Sequence, residues 1–295
     1  MIKFHTDHYF HIGSAHYTSG KPCQDYSFSG SDENTACATV SDGCSTGRHT
    51  DIGARILALS TFQATRDYTR SFKGSLDTVA SMISSSQQQI IGMTRRVLDL
   101  GLEDMLATSG YIYLTQRGGV VNLQGDGVVA LKYRSGGIEM SRFEWENNIP
   151  FYPAYMGEGL DRFVAAHGGD MDASKLSRER IQLWDTNIEA GLSHNSFSLR
   201  EGINGISMPI SMAQLLQLEF VAVFTDGVTQ IDGVSWQKAV VNFLAFKTVG
   251  GEFAKRRMIR GIQDYQKIGK GPVDDIAISV IRIENTDIEG VISEG

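Results

Sequence analysis

Apolar positions along this chain change their period several times, and each change predicts an element. Residues 35–40 (TACATV) form a short apolar run that leads into Asp42, which reads as a buried strand. Residues 9–15 read as extended. Over 48–70 the period lengthens: Ile52, Ile56 and Leu59 recur at i, i+4 and i+7, and Thr50 stands where an N-cap would. A second helix is predicted over 76–100, with Asp77 near its start and Val79, Ile83, Ile90 and Val97 on one stripe. Each helix has a single apolar face, so both should lie on a sheet.

Four β-type runs follow: SGYIYLTQ, GVVNLQ, GVVALKYR and GIEMSRFEW. Glycine-containing turns at 117–119, 125–127 and 135–137 separate them, which predicts an antiparallel meander. Residues 150–212 have mixed polarity and weak periodicity. They read as an irregular, flap-like insertion with some helix, over 176–192. LEFVAVFTDG is then a buried strand ending at Asp226, helices are predicted at 236–246 and 252–267, and IAISVIRI alternates cleanly as a last strand. Strands cluster without regular βαβ alternation, so a doubly wound parallel sheet is excluded. The pattern fits an α+β fold with two stacked antiparallel sheets covered by helices, an α-β-β-α sandwich in a single domain over 1–295.

Composition narrows the function classes. The chain has 295 residues with a formal net charge of −7, so no overall basic field favours nucleic acid or anionic lipid. No apolar run approaches the roughly 20 residues that span a bilayer. The N-terminus lacks a basic segment followed by an apolar stretch, so no signal peptide is expected. Cys23, Cys37 and Cys44 are odd in number and lack Cys-x-x-Cys spacing, which points away from a disulfide framework and towards a reducing cytoplasm. A monomer is expected.

The chemistry lies in carboxylates. CQDYS (Asp25), VSDGCSTG (Asp42–Gly43), FTDGV (Asp226–Gly227) and PVDDIAISV (Asp274–Asp275) are far apart in the chain, and three of them abut β-type runs. A single Asp-Gly is most simply a turn. Four such segments at strand ends can converge, and converging carboxylates repel unless a cation sits among them. Hard oxygen ligands select magnesium, manganese or calcium. There is no Walker-type phosphate loop, no Gly-x-Ser-x-Gly elbow and no compact calcium loop.

In order, KPCQDYS, VSDGCSTG, DMLATSG, LQGDGVVAL, FTDGV and VDDIAISV resemble the motifs of the metal-dependent type 2C (PPM-type) protein serine/threonine phosphatases. The resemblance spans nearly the whole chain and implies a four-layer α-β-β-α sandwich. It also implies two or three Mn²⁺ or Mg²⁺ ions. Asp42 would bridge two of them, with the Gly43 carbonyl as a further ligand. Asp226 and Asp274 would complete the first site, Asp25 would serve the second, and Asp104 would share a third, weaker ion with Asp226. Hydroxide bridging two cations would then attack the phosphorus of phosphoserine or phosphothreonine in a protein, a kinase target or a kinase, with Asp42 and Asp226 acting through the metals.

The chain departs from that family mainly on the phosphate side. Where many members carry an arginine, five residues before Asp25, this chain has Gly20 followed by Lys21; Lys21 and Arg48 are the candidate phosphate ligands. Cys44 occupies the place of a frequent histidine, and His49 is nearby. Asp126, in GDGVV, is expected to be structural, Asp275 to support Asp274, and Asp232-Gly233 to be a turn. These departures keep a second reading open, a weak or inactive phosphatase-fold regulator that binds a kinase or signalling partner. Cys23 and Cys44 flank site aspartates, which raises redox sensitivity against the simpler reading of inert thiols.

Overall fold

The computed structural model describes residues 2–71, 78–185 and 188–285. In chain order the elements are β1 (Ile2–His11), α1 (Ser14–Ser19), β2 (Asp25–Ser31), β3 (Thr35–Asp42), α2 (Thr50–Ser71), α3 (Val79–Leu98), β4 (Ser109–Thr115), β5 (Gly118–Gln124), β6 (Gly127–Tyr133) and β7 (Ile138–Trp145). The second half adds α4 (Leu160–Ala166), β8 (Ser174–Asp185), β9 (Ile188–Ser198), α5 (Leu199–Ile203), β10 (Ile206–Ser211), α6 (Met212–Gln217), β11 (Leu218–Phe224), α7 (Trp236–Phe243), α8 (Phe253–Gln266) and β12 (Ile276–Asn285). One sheet runs β1-β12-β11-β6-β7-β8-β9 and the other β10-β5-β4-β3-β2; all the pairings are antiparallel.

Period-2 alternation builds the layers. On β3, Ala36, Ala38 and Val40 face the other sheet; on β4, Ile112 and Leu114 do so while Tyr111 and Tyr113 turn towards α2 and α3. On β11, Val221 and Val223 enter the inter-sheet core, whereas Phe220, Ala222 and Phe224 pack under α7 and α8 against Val240, Phe243 and Met258. The expected order of helix, sheet, sheet and helix is what the chain forms.

The helical stripes differ from the sequence reading in several respects. On α2 the buried line is Ala54, Leu57, Ala58, Thr61, Ala64 and Thr65, while Ile52 is exposed. Small residues let the helix sit close to its neighbours: a Cβ on Gly53 would collide with the Asp104 carbonyl. Thr50 does not cap α2 through its side chain; the hydroxyl donates to the Cys44 carbonyl (2.9 Å) and accepts from Gln24 Nε2 (2.7 Å). On α3, Val79 and Ile83 are buried as expected, joined by Gln87 and Ile91, but Val97 is 83% exposed. The predicted start of this helix at 76, with Asp77, lies outside the described residues.

The largest correction concerns 150–212. The helix expected over 176–192 is the hairpin β8–β9, which extends the larger sheet beyond β7. The insertion is therefore more regular than its sequence suggests. Residues 9–15, read as extended, end in the first turn of α1.

Candidate metal centre

The two sheets bring the aspartates to one end of the sandwich. Antiparallel register sets Asp25, at the start of β2, directly opposite Asp42, at the end of β3, so both side chains leave the same face. Asp226 follows β11 and Asp274 precedes β12, and these strands are antiparallel neighbours in the other sheet. Thr225 closes the gap between sheets: its hydroxyl donates to Asp25 Oδ2 (2.5 Å) and accepts from the Ala277 amide (2.8 Å).

Local structure fixes Asp42. Its amide donates to Thr108 Oγ1 (3.0 Å), and the Thr108 amide donates back to the Asp42 carbonyl (2.8 Å). Gly43 follows, its amide bound to the Gln24 carbonyl (3.0 Å). A Cβ at Gly43 would strike the carbonyl oxygens of Thr50 and Gln24, so the turn needs glycine for space. Gly227 is packed in the same way against the Asp275 carbonyl, which draws the Asp226 turn onto the Asp274–Asp275 segment.

The Asp42 carboxyl lies within hydrogen-bonding reach of both Asp25 and Asp226. Burial, with repulsion among these groups, pushes the Asp25 and Asp42 carboxyls well above the ordinary range. Burial and the neighbouring Asp274 raise Asp226 to about 6. Among the described residues no lysine, arginine or histidine forms an ion pair with Asp25, Asp42 or Asp226. Such a set is stable either with shared protons or around a cation. Its donors are all hard oxygens, so it fits Mg²⁺ or Mn²⁺.

Asp274 is 39% exposed; its Oδ1 accepts from the Asp275 amide (2.8 Å) and its Oδ2 from Gln230 Nε2 (3.4 Å). The same Gln230 amide donates to Asp226 Oδ2 (2.9 Å) and so ties these two carboxylates together. Asp275 is buried and saturated: Gly13 N–H (2.7 Å) reaches Oδ1, while Gln24 N–H (2.6 Å) and His16 Nδ1 (2.8 Å) reach Oδ2. His16, Asp274 and Asp275 form the most compact ligand-type trio among the described residues. Asp275 spends its oxygens on protein donors there, which makes that trio a brace for α1 and β2 rather than an open site.

Asp104 and Arg48, expected at a third metal and at the phosphate, pair with each other. Both Asp104 oxygens are engaged by the Arg48 guanidinium, at 3.1 and 2.9 Å, and Oδ2 also accepts from Gly101 N–H (2.8 Å). The Asp104 carboxyl is held below the usual range chiefly by Arg48. In this structure Asp104 and Arg48 are therefore bound to each other, and neither is shown facing an ion or a phosphate. Lys21 lies beside the Asp42 turn, with Nζ on the Ser45 carbonyl (3.1 Å).

Sequence reasoning set Asp126 aside as structural, and the structure buries it beside Asp42 and Asp226. Asp126 is 6% exposed, its Oδ1 has no partner among the described residues, and it repels both Asp42 and Asp226. Gln230, Thr225 and Tyr152 were also missed. Tyr152 enters from the insertion and hydrogen-bonds Cys44. Those bonds, with ones from Thr46, outweigh burial and leave the Cys44 thiol below its ordinary value. Burial pushes Cys23 far up and Cys37 to about 12, so these two thiols are inert.

With this geometry in view, comparison with known proteins shows what the chain is similar to. Residues 12–149 match the family described as Protein phosphatase 2C, a segment that carries Asp25, Asp42 and Asp126. The fold is shared with the Staphylococcus aureus serine/threonine phosphatase Stp1 at 9% identity and TM-score 0.56, covering 96% of each chain. It is also shared with an S. agalactiae serine/threonine phosphatase at 11% identity and TM-score 0.52, covering 96% of this chain and 100% of that one. No curated protein matches the chain. The chain thus resembles Protein phosphatase 2C over residues 12–149 and shares its fold with serine/threonine phosphatases of known structure.

Proposed function

We propose that this protein is a protein serine/threonine phosphatase of the 2C type, a metal-dependent phosphomonoester hydrolase that acts on phosphoserine and phosphothreonine in proteins. The observation that carries the reading is the convergence of Asp25, Asp42 and Asp226, from three strand ends, with no protein cation among them. Asp42 and the Gly43 carbonyl, with Asp25, Asp226, Asp274 and Asp126, are the groups that would hold two or more Mn²⁺ or Mg²⁺ ions. When bound, divalent cations supply an acidified water near neutral pH and positive charge against the phosphoryl oxygens.

The chain's own groups do the remaining work. Thr225 holds the Asp25 carboxylate, and Gln230 ties Asp226 and Asp274 together. Asp275 clamps the backbone on either side, through Gln24 next to Asp25 and through its own amide on Asp274. Lys21 extends from the αL turn at Gly20 over the loop after Asp42, where its ammonium serves as a point charge for a phosphate oxygen.

The test is hydrolysis of p-nitrophenyl phosphate and of a phosphothreonine peptide. Mn²⁺ should support both activities, and EDTA should abolish both until the metal is restored. Equal turnover in EDTA would sink the reading. The alternative, a weak or inactive regulator, predicts little or no turnover with Mn²⁺ or Mg²⁺.

A further inference from the structure

A cleft of about 580 Å³ opens beside the aspartate cluster. Asp226, Asp126 and Thr229 line its inner end, and its outer end is formed where β7 stops and β8 starts, at Glu144, Glu146 and Lys175. The insertion therefore supplies one wall of a groove whose other end is the proposed reaction site. A protein substrate that places its phosphate at Asp42 and Asp226 must run its neighbouring residues along some path out, and this groove is continuous with the site.

The charge of the outer end has a direction. The cationic groups are covered and paired: Arg142 is 26% exposed and holds Glu144 (3.0 Å) and Glu179 (2.9 Å), and Lys175 is 20% exposed and holds Glu146. The carboxylates stand further into solvent, Glu144 at 52% and Glu146 at 48%. Each binds through Oε2 alone, leaving Oε1 without a partner among the described residues. At the inner end the buried Asp126 Oδ1 is likewise unpaired. The outer end thus offers exposed carboxylate oxygens, while the charges of Arg142 and Lys175 are already met by Glu144, Glu179 and Glu146, although the buried Arg142 Nε has no partner among the described residues.

We infer that this groove binds an extended segment of the phosphoprotein substrate and selects a lysine or arginine three or four residues from the phosphorylated one. The inference rests on the phosphatase reading above. Spacing sets the position. β7 and β8 lie two and three strands from β11 in the sheet. At about 4.8 Å per strand that is roughly 10–14 Å, the length of three or four extended residues at about 3.4 Å each. A guanidinium there reaches the free oxygens of Glu144 and Glu146 as a charge-assisted donor.

The experiment is a scan of phosphothreonine peptides with Arg, Ala or Glu at each of the five positions on either side, read as kcat/KM. Arginine three or four residues away on one side should be favoured about fivefold over alanine, with glutamate below alanine, as suits a partly exposed ion pair. The double variant Glu144→Lys, Glu146→Lys should reverse the order of the arginine and glutamate peptides. A flat scan, a preference confined to other positions, or an unchanged order in the variant would overturn the groove. Because p-nitrophenyl phosphate is too small to reach β7, Mn²⁺-dependent turnover of it alongside a flat scan rejects the groove alone. No turnover of either substrate rejects the phosphatase reading, and the groove with it.

Discussion

Asp42→Asn should abolish catalysis and at the same time make the metal-free protein more stable. Asp42 is the carboxyl that both Asp25 and Asp226 approach, so removing its charge takes away the shared ligand of the proposed cations. Several kcal/mol of transition-state stabilisation depend on those cations, and Mn²⁺-dependent turnover of p-nitrophenyl phosphate should fall about 1000-fold or more. Without metal, the same substitution relieves repulsion among buried carboxyls, and an amide can donate to its neighbours. The Tm of the EDTA-treated variant should therefore exceed that of the EDTA-treated parent, by about 2–4 °C for each kcal/mol relieved. An ordinary core defect would lower both. Retained activity, or a lowered Tm without metal, contradicts the assignment of Asp42.

The second large effect couples metal, pH and stability. In the unfolded chain an aspartate ionises near pH 4. In the metal-free fold Asp226 sits at about 6, and Asp25, Asp42 and Asp126 are pushed well above their ordinary value by burial and mutual repulsion. A raised folded pKa means that the native state holds protons which the unfolded state has released. Stability from these groups is full below about pH 4 and is lost as pH rises through the folded values. For Asp226 alone the loss is roughly 3 kcal/mol. Bound cations need the ionised carboxylates and remove the penalty. The Tm gained on adding Mn²⁺ should consequently grow from pH 5 to pH 8 in scanning fluorimetry. A gain that is constant or shrinks with pH would show that the cluster is not where the metal acts.

The helical and sheet layers were largely legible because most strands keep one face for the inter-sheet core and one for the helices, as β3, β4 and β11 do. The β8–β9 hairpin was not. Along β7, Ile138 and Met140 pack on the outer face, yet Phe143 and Trp145 enter the inter-sheet core; β8 likewise buries Leu176 on one side and Ile181 and Leu183 on the other. A strand that exchanges its buried face has no steady period of two. Between those positions the pairing is ionic, with Arg180 on Glu139 (2.7 and 2.8 Å) and Arg142 on Glu179, and such charges read as a solvated surface.

The site divided in a similar way. Asp25, Asp42, Asp226 and Asp274 could be found because each sits in a short motif next to a strand. Asp126 has a comparable setting but was set aside by analogy, and only its buried, unpaired oxygen suggests a part in the site. Asp104 was drawn in by motif order, whereas Arg48, 56 positions away in the chain, is what its carboxylate binds. That pairing is long-range, and nothing in local spacing announces it. Gln230 and Tyr152 carry no motif, and they act only through where β11 and the insertion place them.

The central claim is that Asp25, Asp42 and Asp226 form a divalent-cation centre. Calorimetric titration of EDTA-stripped protein with Mn²⁺ near pH 7.5 tests it most directly. The account predicts saturable binding of about two ions per chain, as a paired-metal hydrolase requires, with proton release from the raised carboxyls and loss of that binding in Asp42→Asn. Absence of saturable binding, or binding that Asp42→Asn leaves intact, would contradict it.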